Sequence, residues 1–293
     1  MKFWQAVSFS EPEQLVGIAK IAEEVGFEGI LVSDHLFFPE KLGSKYPYTP
    51  DGVPGFTAET PWPEPFSAVA AMAAATARLR FATMVFILPL RHPIEVAKAC
   101  ATLDVLSGSR FVLGTGAGWM KEEFDQLGVD FKSRGARFDE SIAVLRKLWR
   151  PGMTEHHGRF FQLPRLQMSP APRRPVPIYV GGGSPAALRR AARLADGWLG
   201  TGTDPEQASG DLAALARLRA EAGRACEPFE AIVPLTTPPD ADVLRRLEDQ
   251  GAHGTVSYPF LYTLGPSSDL AAKRRYLEGF AENVIRKVGS PPE

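Results

Sequence analysis

The sequence contains little cysteine and almost no net charge. Its 293 residues include only two cysteines, Cys100 and Cys226, whose spacing fits neither a metal site nor a thiol-exchange pair. Disulfides are therefore not expected to stabilise the fold, and a reducing, cytoplasmic compartment is the simplest interpretation. The 33 Lys and Arg residues balance 34 Asp and Glu residues, for a formal charge of -1. Because nucleic-acid-binding domains usually carry a basic excess, no nucleic-acid partner is predicted.

Long hydrophobic runs are also missing. The longest, residues 68–77, is mostly alanine and is far shorter than the roughly 20 apolar residues that span a bilayer. The N-terminus leads into a strand-like segment and not a signal peptide, so no membrane partner is expected. The motifs G-x-S-x-G, P-loop and H-E-x-x-H are absent, and the adjacent His156 and His157 form an awkward pair of ligands for one metal. We therefore expect no metal site.

The sequence does contain a regular alternation of strand-like and helix-like segments. Eight short apolar runs rich in β-forming residues lie at 3–9, 29–33, 79–88, 110–115, 177–180, 197–201, 231–236 and 254–258. The clearest helix repeats Phe138, Ile142, Leu145 and Trp149 along one face. Eight such units without a break in composition predict a (β/α)8 TIM barrel, with residues 1–293 as a single domain. A doubly wound open sheet is the alternative, although it usually shows two distinct halves.

Two proline-containing insertions, at 37–65 and 150–176, interrupt this alternation. The first contains seven prolines. Its aromatic residues include Tyr46, Tyr48, Phe56 and Trp62. Long loops in compact domains are often lids or binding loops. We predict a lid at 37–65, with proline-stiffened packing over a barrel end as the alternative.

Polar and glycine-rich segments follow several predicted strands, where a parallel barrel places its active site. Asp34-His35 follows the second strand, and an imidazole there can exchange a proton near neutral pH; a hydrogen bond to a loop carbonyl would also explain this histidine. Gly181, Gly182 and Gly183 lead directly into a helix beginning at Ser184. Because backbone amides and a helix N-terminus converge there, we predict a phosphate site in preference to a simple tight turn.

A second glycine-rich segment follows the fourth strand. Gly114, Gly116 and Gly118 resemble a dinucleotide fingerprint, but the third glycine comes one residue early and no acidic partner for a ribose follows. We therefore predict that bare backbone here approaches a flat ligand closely. A hinge for the polar loop that follows is the alternative.

Four segments together resemble the luciferase-like monooxygenase superfamily, and within it the branch of coenzyme F420-dependent oxidoreductases. They are VSDH at 32–35, RHPIEVAKACATLDVLSGSRFVLGTGAGW at 91–119, RFDESIAVLRKLW at 137–149 and PIYVGGGSPAALRRAARLADGW at 177–198. The resemblance extends from the first strand to about residue 200, and beyond it only the strand–helix rhythm is similar. It implies a barrel, a homodimer, and a cofactor, either the deazaflavin F420 or FMN, bound across the C-terminal mouth.

The resemblance also assigns roles to residues. Gly181, Gly182, Gly183 and Ser184 match the family's loop that holds the cofactor phosphate. Met84-Val85 matches a bulge with a non-prolyl cis bond that backs the cofactor ring. His35 matches the proton-transfer residue of the F420-dependent dehydrogenases, with Asp34 beside it near the cofactor.

One position departs from those dehydrogenases. Their second acid, a glutamate directly after the third glycine, is replaced here by Trp119. Glu122 or Glu123 is a candidate replacement, with an ordinary solvated helix start as the alternative. We predict that Trp119 and Phe9 form an aromatic substrate pocket with the lid, which favours a hydrophobic or aromatic substrate.

The leading hypothesis is an F420-dependent oxidoreductase that transfers a hydride between the deazaflavin and a small organic substrate, with His35 handling the proton. An FMN-dependent monooxygenase is the first alternative. A non-catalytic flavin- or F420-binding protein on the same barrel is the second.

Overall fold

The computed structural model describes residues 1–238 and 240–289, and it contains the predicted (β/α)8 barrel. Its strands are β1 (Lys2–Ala6), β2 (Gly29–Val32), β3 (Arg80–Thr83), β4 (Phe86–Ile87), β5 (Phe111–Gly116), β6 (Thr154–His157), β7 (Gln162–Leu166), β8 (Ile178–Gly181), β9 (Gly197–Leu199), β10 (Glu230–Val233) and β11 (Gly254–Ser257). Eight parallel strands close in the order β1-β2-β3-β5-β8-β9-β10-β11, because β11 pairs with β1 and β3 with β5. The open-sheet alternative is excluded.

All eight predicted strand runs contain barrel strands, but the third run is broken. Residues 79–88 form β3 and the short β4, which pairs with β5 beyond the point where β3 ends. Met84 and Val85 lie at the break, and the peptide bond between them is cis. The chain therefore leaves the regular path of the barrel wall at the two residues predicted to back the cofactor.

The helices pack around the outside of the barrel. They are α1 (Leu15–Val25), α2 (Pro65–Ala74), α3 (Pro93–Ser107), α4 (Lys121–Gln126), α5 (Arg134–Leu148), α6 (Pro185–Leu194), α7 (Pro205–Glu221), α8 (Ala241–Asp249), α9 (Phe260–Leu264), α10 (Leu270–Phe280) and α11 (Arg286–Gly289). Several begin as their sequence predicts, with a capping side chain before a proline. Ser184 Oγ accepts a hydrogen bond from the Ala187 amide at the start of α6, for example. Within 1–238 and 240–289, no helix is long and apolar enough to cross a membrane.

The two insertions differ in structure. Residues 37–64 contain only turns and irregular backbone, ending where α2 begins at Pro65. The second insertion contains the antiparallel hairpin of β6 and β7, which the sequence pattern did not predict. His156 of this hairpin pairs with Glu140 on α5, with 3.1 Å between Nε2 and Oε1. His156 thus fastens the hairpin to α5, and His157 is the last residue of its first strand.

The interior of the barrel is filled at its N-terminal end. Buried side chains from successive strands round the barrel, including Trp4, Leu31 and Val112, form a compact cluster inside the strand cylinder. Below them, Glu230 accepts hydrogen bonds from Arg80, Lys2 and Tyr179. Polar groups at this end of a barrel typically serve stability, so the functional site must lie at the opposite, C-terminal end.

Candidate active site

A cavity of about 1030 Å³ opens at the C-terminal end of the barrel. Its lining includes nearly all of the predicted site residues, namely Phe9, Asp34, His35, Met84, Val85, Gly116, Trp119, Gly181, Gly182, Gly183 and Ser184. These residues come from five different strand ends and are far apart in sequence. The barrel alone brings them together, which is the usual arrangement of an active site on this fold.

Gly114 is the exception, since it lies beneath the cavity and does not line it. A Cβ atom on Gly114 would come within 1.8 Å of the Thr83 carbonyl oxygen and 2.5 Å of the Leu199 Cδ1 atom. Thr83 Oγ1 also donates a 2.6 Å hydrogen bond to the Gly114 carbonyl. The glycine is required here because neighbouring strands meet inside the barrel, and not because a flat ligand approaches it.

Two other glycines make room for a protein side chain. A Cβ on Gly116 would lie 2.6 Å from Val85 Cγ2, and one on Gly181 would lie 2.4 Å from Val85 Cγ1. Val85 therefore projects between β5 and β8 into the floor of the cavity, where Met84 adjoins it. The bulge at Met84-Val85 and these glycines form one unit that shapes the surface on which a ring would rest.

The predicted phosphate loop borders one end of the cavity. Gly182 has a left-handed backbone (φ 116), and Ser184 caps α6, so the first amides of that helix are directed toward the cavity wall. Thr201 and Asp211 lie close to Gly183, and both line the cavity. Burial raises the pKa of the Asp211 carboxyl. This end offers amide and hydroxyl donors to an anion.

Basic side chains extend this end of the cavity toward solvent. Lys132, Arg134 and Arg190 all line it. Burial, reinforced by the positive charge of Arg190, lowers the pKa of the Arg134 guanidinium. Arg190 pairs with Asp139, but in the part of the chain that the structure describes no carboxylate pairs with Lys132 or Arg134. A net positive charge thus remains beside the glycine loop.

Asp34 is buried at the end of β2 and holds the chain beyond the bulge. The Ile87 amide donates a 2.9 Å hydrogen bond to Asp34 Oδ2, and Arg91 Nη2 donates a 2.7 Å bond to Oδ1. Burial raises the pKa of Asp34, and the Arg91 guanidinium opposes that effect. Asp34 lines the cavity, but both of its oxygens are engaged in positioning β4.

His35 lies at the other end of the cavity, and its partner is a glutamate and not a loop carbonyl. His35 Nδ1 is 3.3 Å from Glu123 Oε1, which also accepts a 2.8 Å hydrogen bond from the Leu36 amide. The Glu123 side chain is fully buried and lies behind the histidine, outside the cavity lining. Of the two candidate replacement acids, Glu123 therefore reaches the histidine, and it does so from the side away from the cavity.

Aromatic rings surround His35. The centroids of Trp62, Phe56 and Trp119 lie 4.8, 5.6 and 5.6 Å from the imidazole centroid. Phe9 packs against Phe56 at 5.9 Å and against Trp62 at 5.4 Å, and its backbone is left-handed (φ 65), an uncommon conformation for phenylalanine. The structure thus brings Phe9 and Trp119 together with rings of the 37–65 segment around His35.

The 37–65 segment is fastened over this cage by Glu122. The Gly43 and Ser44 amides donate hydrogen bonds of 2.7 and 3.0 Å to Glu122 Oε1, and Ser44 Oγ donates a 2.7 Å bond to Oε2. Although partial burial opposes the effect, these hydrogen bonds lower the pKa of Glu122. Tyr46, two residues further along, packs its ring 5.1 Å from that of Trp119. The segment covers the histidine end of the cavity, as a lid would.

Nothing in the described ranges 1–238 and 240–289 resembles a metal site, since no group of three or more His, Cys, Asp or Glu side chains converges there. The donor set fits a flavin-type cofactor: an amide-rich anion site lies at one end, an apolar floor lies between, and a titratable histidine lies at the other.

Comparison with known proteins agrees with this geometry. The profile of the family described as luciferase-like monooxygenase matches residues 4–282. The chain belongs to this family. An uncharacterized protein of Mycobacterium tuberculosis is 42% identical over 290 residues, covering 98% of this chain and all of that protein. The F420-dependent glucose-6-phosphate dehydrogenase of Nakamurella multipartita is 32% identical over 244 residues, covering 81% of this chain and 67% of the relative.

Solved structures share the luciferase-like fold at lower identity. Monooxygenase RslO1 from Streptomyces bottropensis superposes with a TM-score of 0.76 at 21% identity, covering 98% of this chain and 99% of that one. An F420-dependent secondary alcohol dehydrogenase in complex with an F420-acetone adduct gives the same TM-score at 18% identity, with the same coverage. Because the chain belongs to the luciferase-like family and is similar to its oxidoreductases, it is an oxidoreductase.

Several cavity residues of this luciferase-like protein are missing from the sequence prediction. Thr201 lies just beyond β9, so the rule that strand ends form the site was sufficient to find it. Arg134 and Arg190 lie on α5 and α6, and no periodic signal distinguishes them from solvated helix charges. Tyr262 follows β11 in the last third of the chain, where the family resemblance is only a strand–helix rhythm.

Proposed function

We propose that this luciferase-like protein is an F420-dependent oxidoreductase that transfers a hydride between the deazaflavin and a hydrophobic or aromatic organic substrate. The single observation that supports it most directly is that the glycine-rich anion site and the caged His35 open into one cavity. When bound, the cofactor supplies the hydride chemistry, and the chain orients it and excludes water. The F420-dependent relatives from several bacteria support the same proposal.

The basic end of the cavity favours F420 over FMN. The side chain of F420 continues past its phosphate into glutamate carboxylates, whereas FMN ends at its phosphate. Lys132 and Arg134 lie beyond the glycine loop without acidic partners in the described ranges, so they can pair with those carboxylates. An FMN-dependent monooxygenase is the second candidate, because a solved monooxygenase has the same fold.

Titration of the purified protein with F420 and with FMN, followed by fluorescence, tests the cofactor. We expect F420 to bind more tightly, and we expect Arg134→Gln to weaken F420 about 10-fold because it removes a charge-assisted hydrogen bond. Arg189→Gln is the matched control, since Arg189 is exposed on α6 outside the cavity. Tight FMN binding without F420 binding would overturn the proposal, and equal effects of both variants would remove the basic-end argument.

The aromatic cage determines the proposed substrate class. Around His35 the walls are Phe9, Phe56, Trp62 and Trp119, and the only basic side chain that the described lid contributes to the cavity is Lys45. Such walls bind a planar apolar molecule by stacking, and they offer few polar groups that could form hydrogen bonds with a sugar phosphate. We expect reduction of aromatic carbonyl compounds and quinones by reduced F420, or oxidation of the corresponding aromatic alcohols by oxidised F420, and no turnover of glucose 6-phosphate.

His35 is the proposed proton-transfer residue, because its imidazole lines the cavity within the aromatic cage. The His35→Ala variant separates an enzyme from a non-catalytic binding protein. We expect it to bind F420 normally and to lose turnover. If the wild-type protein binds F420 but turns over nothing in a broad substrate panel, the binding-protein alternative replaces the enzyme proposal.

A further inference from the structure

The carboxylate of Glu123 is unusually placed for a residue at the start of a short helix. Its side chain has no exposure to solvent, and only Oε1 has partners, the Leu36 amide and the His35 imidazole. Oε2 is buried without a hydrogen-bond partner in the described part of the chain. Buried carboxylates usually satisfy both oxygens, so an incompletely satisfied one calls for a functional reason.

The surrounding charges leave the imidazole as the natural partner of Glu123. Arg91 from the loop after β4 is bonded to Asp34, the other carboxylate beside His35. Burial, together with the nearby Glu123 carboxylate, raises the pKa of Asp34, so two acids share this buried region with one guanidinium. Three aromatic rings of the cage also lie beside the imidazole. A second positive charge at this place can come from a protonated His35.

Hydrogen-bond chemistry fixes the orientation of the imidazole. An ionised carboxylate only accepts hydrogen bonds, and Glu123 Oε1 faces Nδ1, so Nδ1 carries hydrogen in the neutral ring. Nε2 then holds the lone pair, and it has no hydrogen-bond partner in the described residues. This is the arrangement by which a buried acid orients a catalytic histidine in hydrolases.

We infer that Glu123 is a positioning residue that sets the tautomer of His35, makes Nε2 the proton-exchanging atom and stabilises the imidazolium when it forms. This inference rests on the proposed function. In the oxidative direction the substrate loses a hydride to the oxidised deazaflavin and a proton to Nε2, so the substrate is oxidised by two electrons and the cofactor reduced. In the reverse direction both return to the substrate. Glu123 itself gains and loses nothing, and it does not touch the reacting atoms.

Two isosteric substitutions and a control on the same helix test the kinetic part. Glu123→Gln removes the charge, and Glu123→Met removes the hydrogen bonds as well while filling a similar volume. Asp125→Asn makes the same carboxylate-to-amide change at an exposed position two residues away. We expect both Glu123 variants to lower kcat about 100-fold or more, the scale of a general acid–base contribution, with the F420 dissociation constant within 3-fold of wild type. Asp125→Asn should match the wild type.

A double-variant comparison distinguishes positioning from a general structural effect. If Glu123 acts through His35, His35→Asn and His35→Asn/Glu123→Gln should turn over equally slowly, because the histidine is no longer there to be positioned. Additive losses would overturn the inference. So would wild-type kcat in both Glu123 variants.

Nitrogen-15 NMR of the imidazole tests the tautomer without any cofactor. At alkaline pH we expect the Nδ1–H form of His35 in the wild type and in Asp125→Asn, and a loss of that preference in Glu123→Met. A predominant Nε2–H form in the wild type would overturn the inference. Failure of the proposed function gives a different result, namely no F420 binding or no turnover in the wild type, with the tautomer still observable.

Discussion

Glu122 should control how firmly the 37–65 lid is closed. Three hydrogen bonds converge on this one carboxylate, two from backbone amides of the lid and one from the Ser44 hydroxyl. Glu122→Ala removes all three, and Glu122→Gln keeps the acceptor for the two amides. Ser44 Oγ also accepts a 2.9 Å hydrogen bond from the Lys121 amide, which remains in both variants. The lid should therefore loosen only partly in Glu122→Gln and further in Glu122→Ala.

The size of the effect follows from the number of bonds. A typical hydrogen bond contributes about 0.5–1.5 kcal/mol net, so three contribute roughly 1.5–4.5 kcal/mol. Glu122 is only partly buried, which places the expected cost of Glu122→Ala near the lower part of that range, at about 2 kcal/mol. That corresponds to an opening equilibrium about 30-fold more favourable. Glu122→Gln should show a smaller change.

Amide hydrogen exchange at Gly43 and Ser44 measures this directly. We expect exchange about 30-fold faster in Glu122→Ala, with a raised KM for the substrate, since the lid closes over the cage that binds it. Asp125→Asn, on the same helix and paired only with Lys121, should leave the exchange unchanged. Unchanged exchange in Glu122→Ala would refute the reasoning, and would mean that aromatic packing such as Tyr46 on Trp119 holds the lid.

Three other predictions concern the cavity floor, the barrel base and the strand end. Gly181→Ala should cost about 1–3 kcal/mol of stability and weaken cofactor binding, because its Cβ would lie 2.4 Å from Val85 Cγ1. Adding Val85→Ala should restore the midpoint of urea unfolding. If the midpoint does not recover, the contact with Val85 is not the cause. At the base, burial opposes ionisation of Glu230, but Lys2, Tyr179 and Arg80 lower its pKa to about 2. The ionised carboxylate therefore contributes stability that is complete above about pH 4.5 and is lost as the pH falls toward 2. The free energy of unfolding by denaturant should depend less on pH in Glu230→Gln than in the wild type over that window. If the two pH profiles run parallel, the contribution is absent. Asp34→Asn leaves the largely buried Arg91 without its ion-pair partner and should cost about 3 kcal/mol in the same assay, whereas an unchanged midpoint would mean that the pair adds nothing.

The barrel could be predicted because each strand is a short apolar run, which is typical of parallel strands covered on both faces. The β6–β7 hairpin could not. Its segments, TEHH and QLPRL, are polar and largely exposed, and Pro164 falls within the second. Its backbone pairing depends on anchoring to α5, where Glu140 accepts the amides of residues 159–161. That anchor is a tertiary contact that no local pattern carries.

The sequence predicts most of the residues that line the cavity, but not the contacts that they make. Gly114 and Gly116 predict the close approach of a flat ligand, and Gly181 predicts a phosphate site. The sequence does not say whether the atom nearest a glycine belongs to a ligand or to the protein, and here Thr83, Leu199 and Val85 lie nearest. Glu122 and Glu123 were equivalent candidates in the sequence. Successive helical residues point about 100° apart, so one reaches the lid and the other the histidine. Which one does which depends on how α4 is rotated against the barrel.

The filled base of the barrel closes the inner end of the cavity. Trp4, Leu31 and their neighbours close the cylinder from below, with the Glu230 network beneath them, so the cavity opens at the C-terminal end of the strands. If the proposed cofactor ring rests on Val85, it lies deeper in the cavity than a substrate beneath the 37–65 segment. We then expect ordered binding, in which the cofactor enters before the substrate and the product leaves before the cofactor.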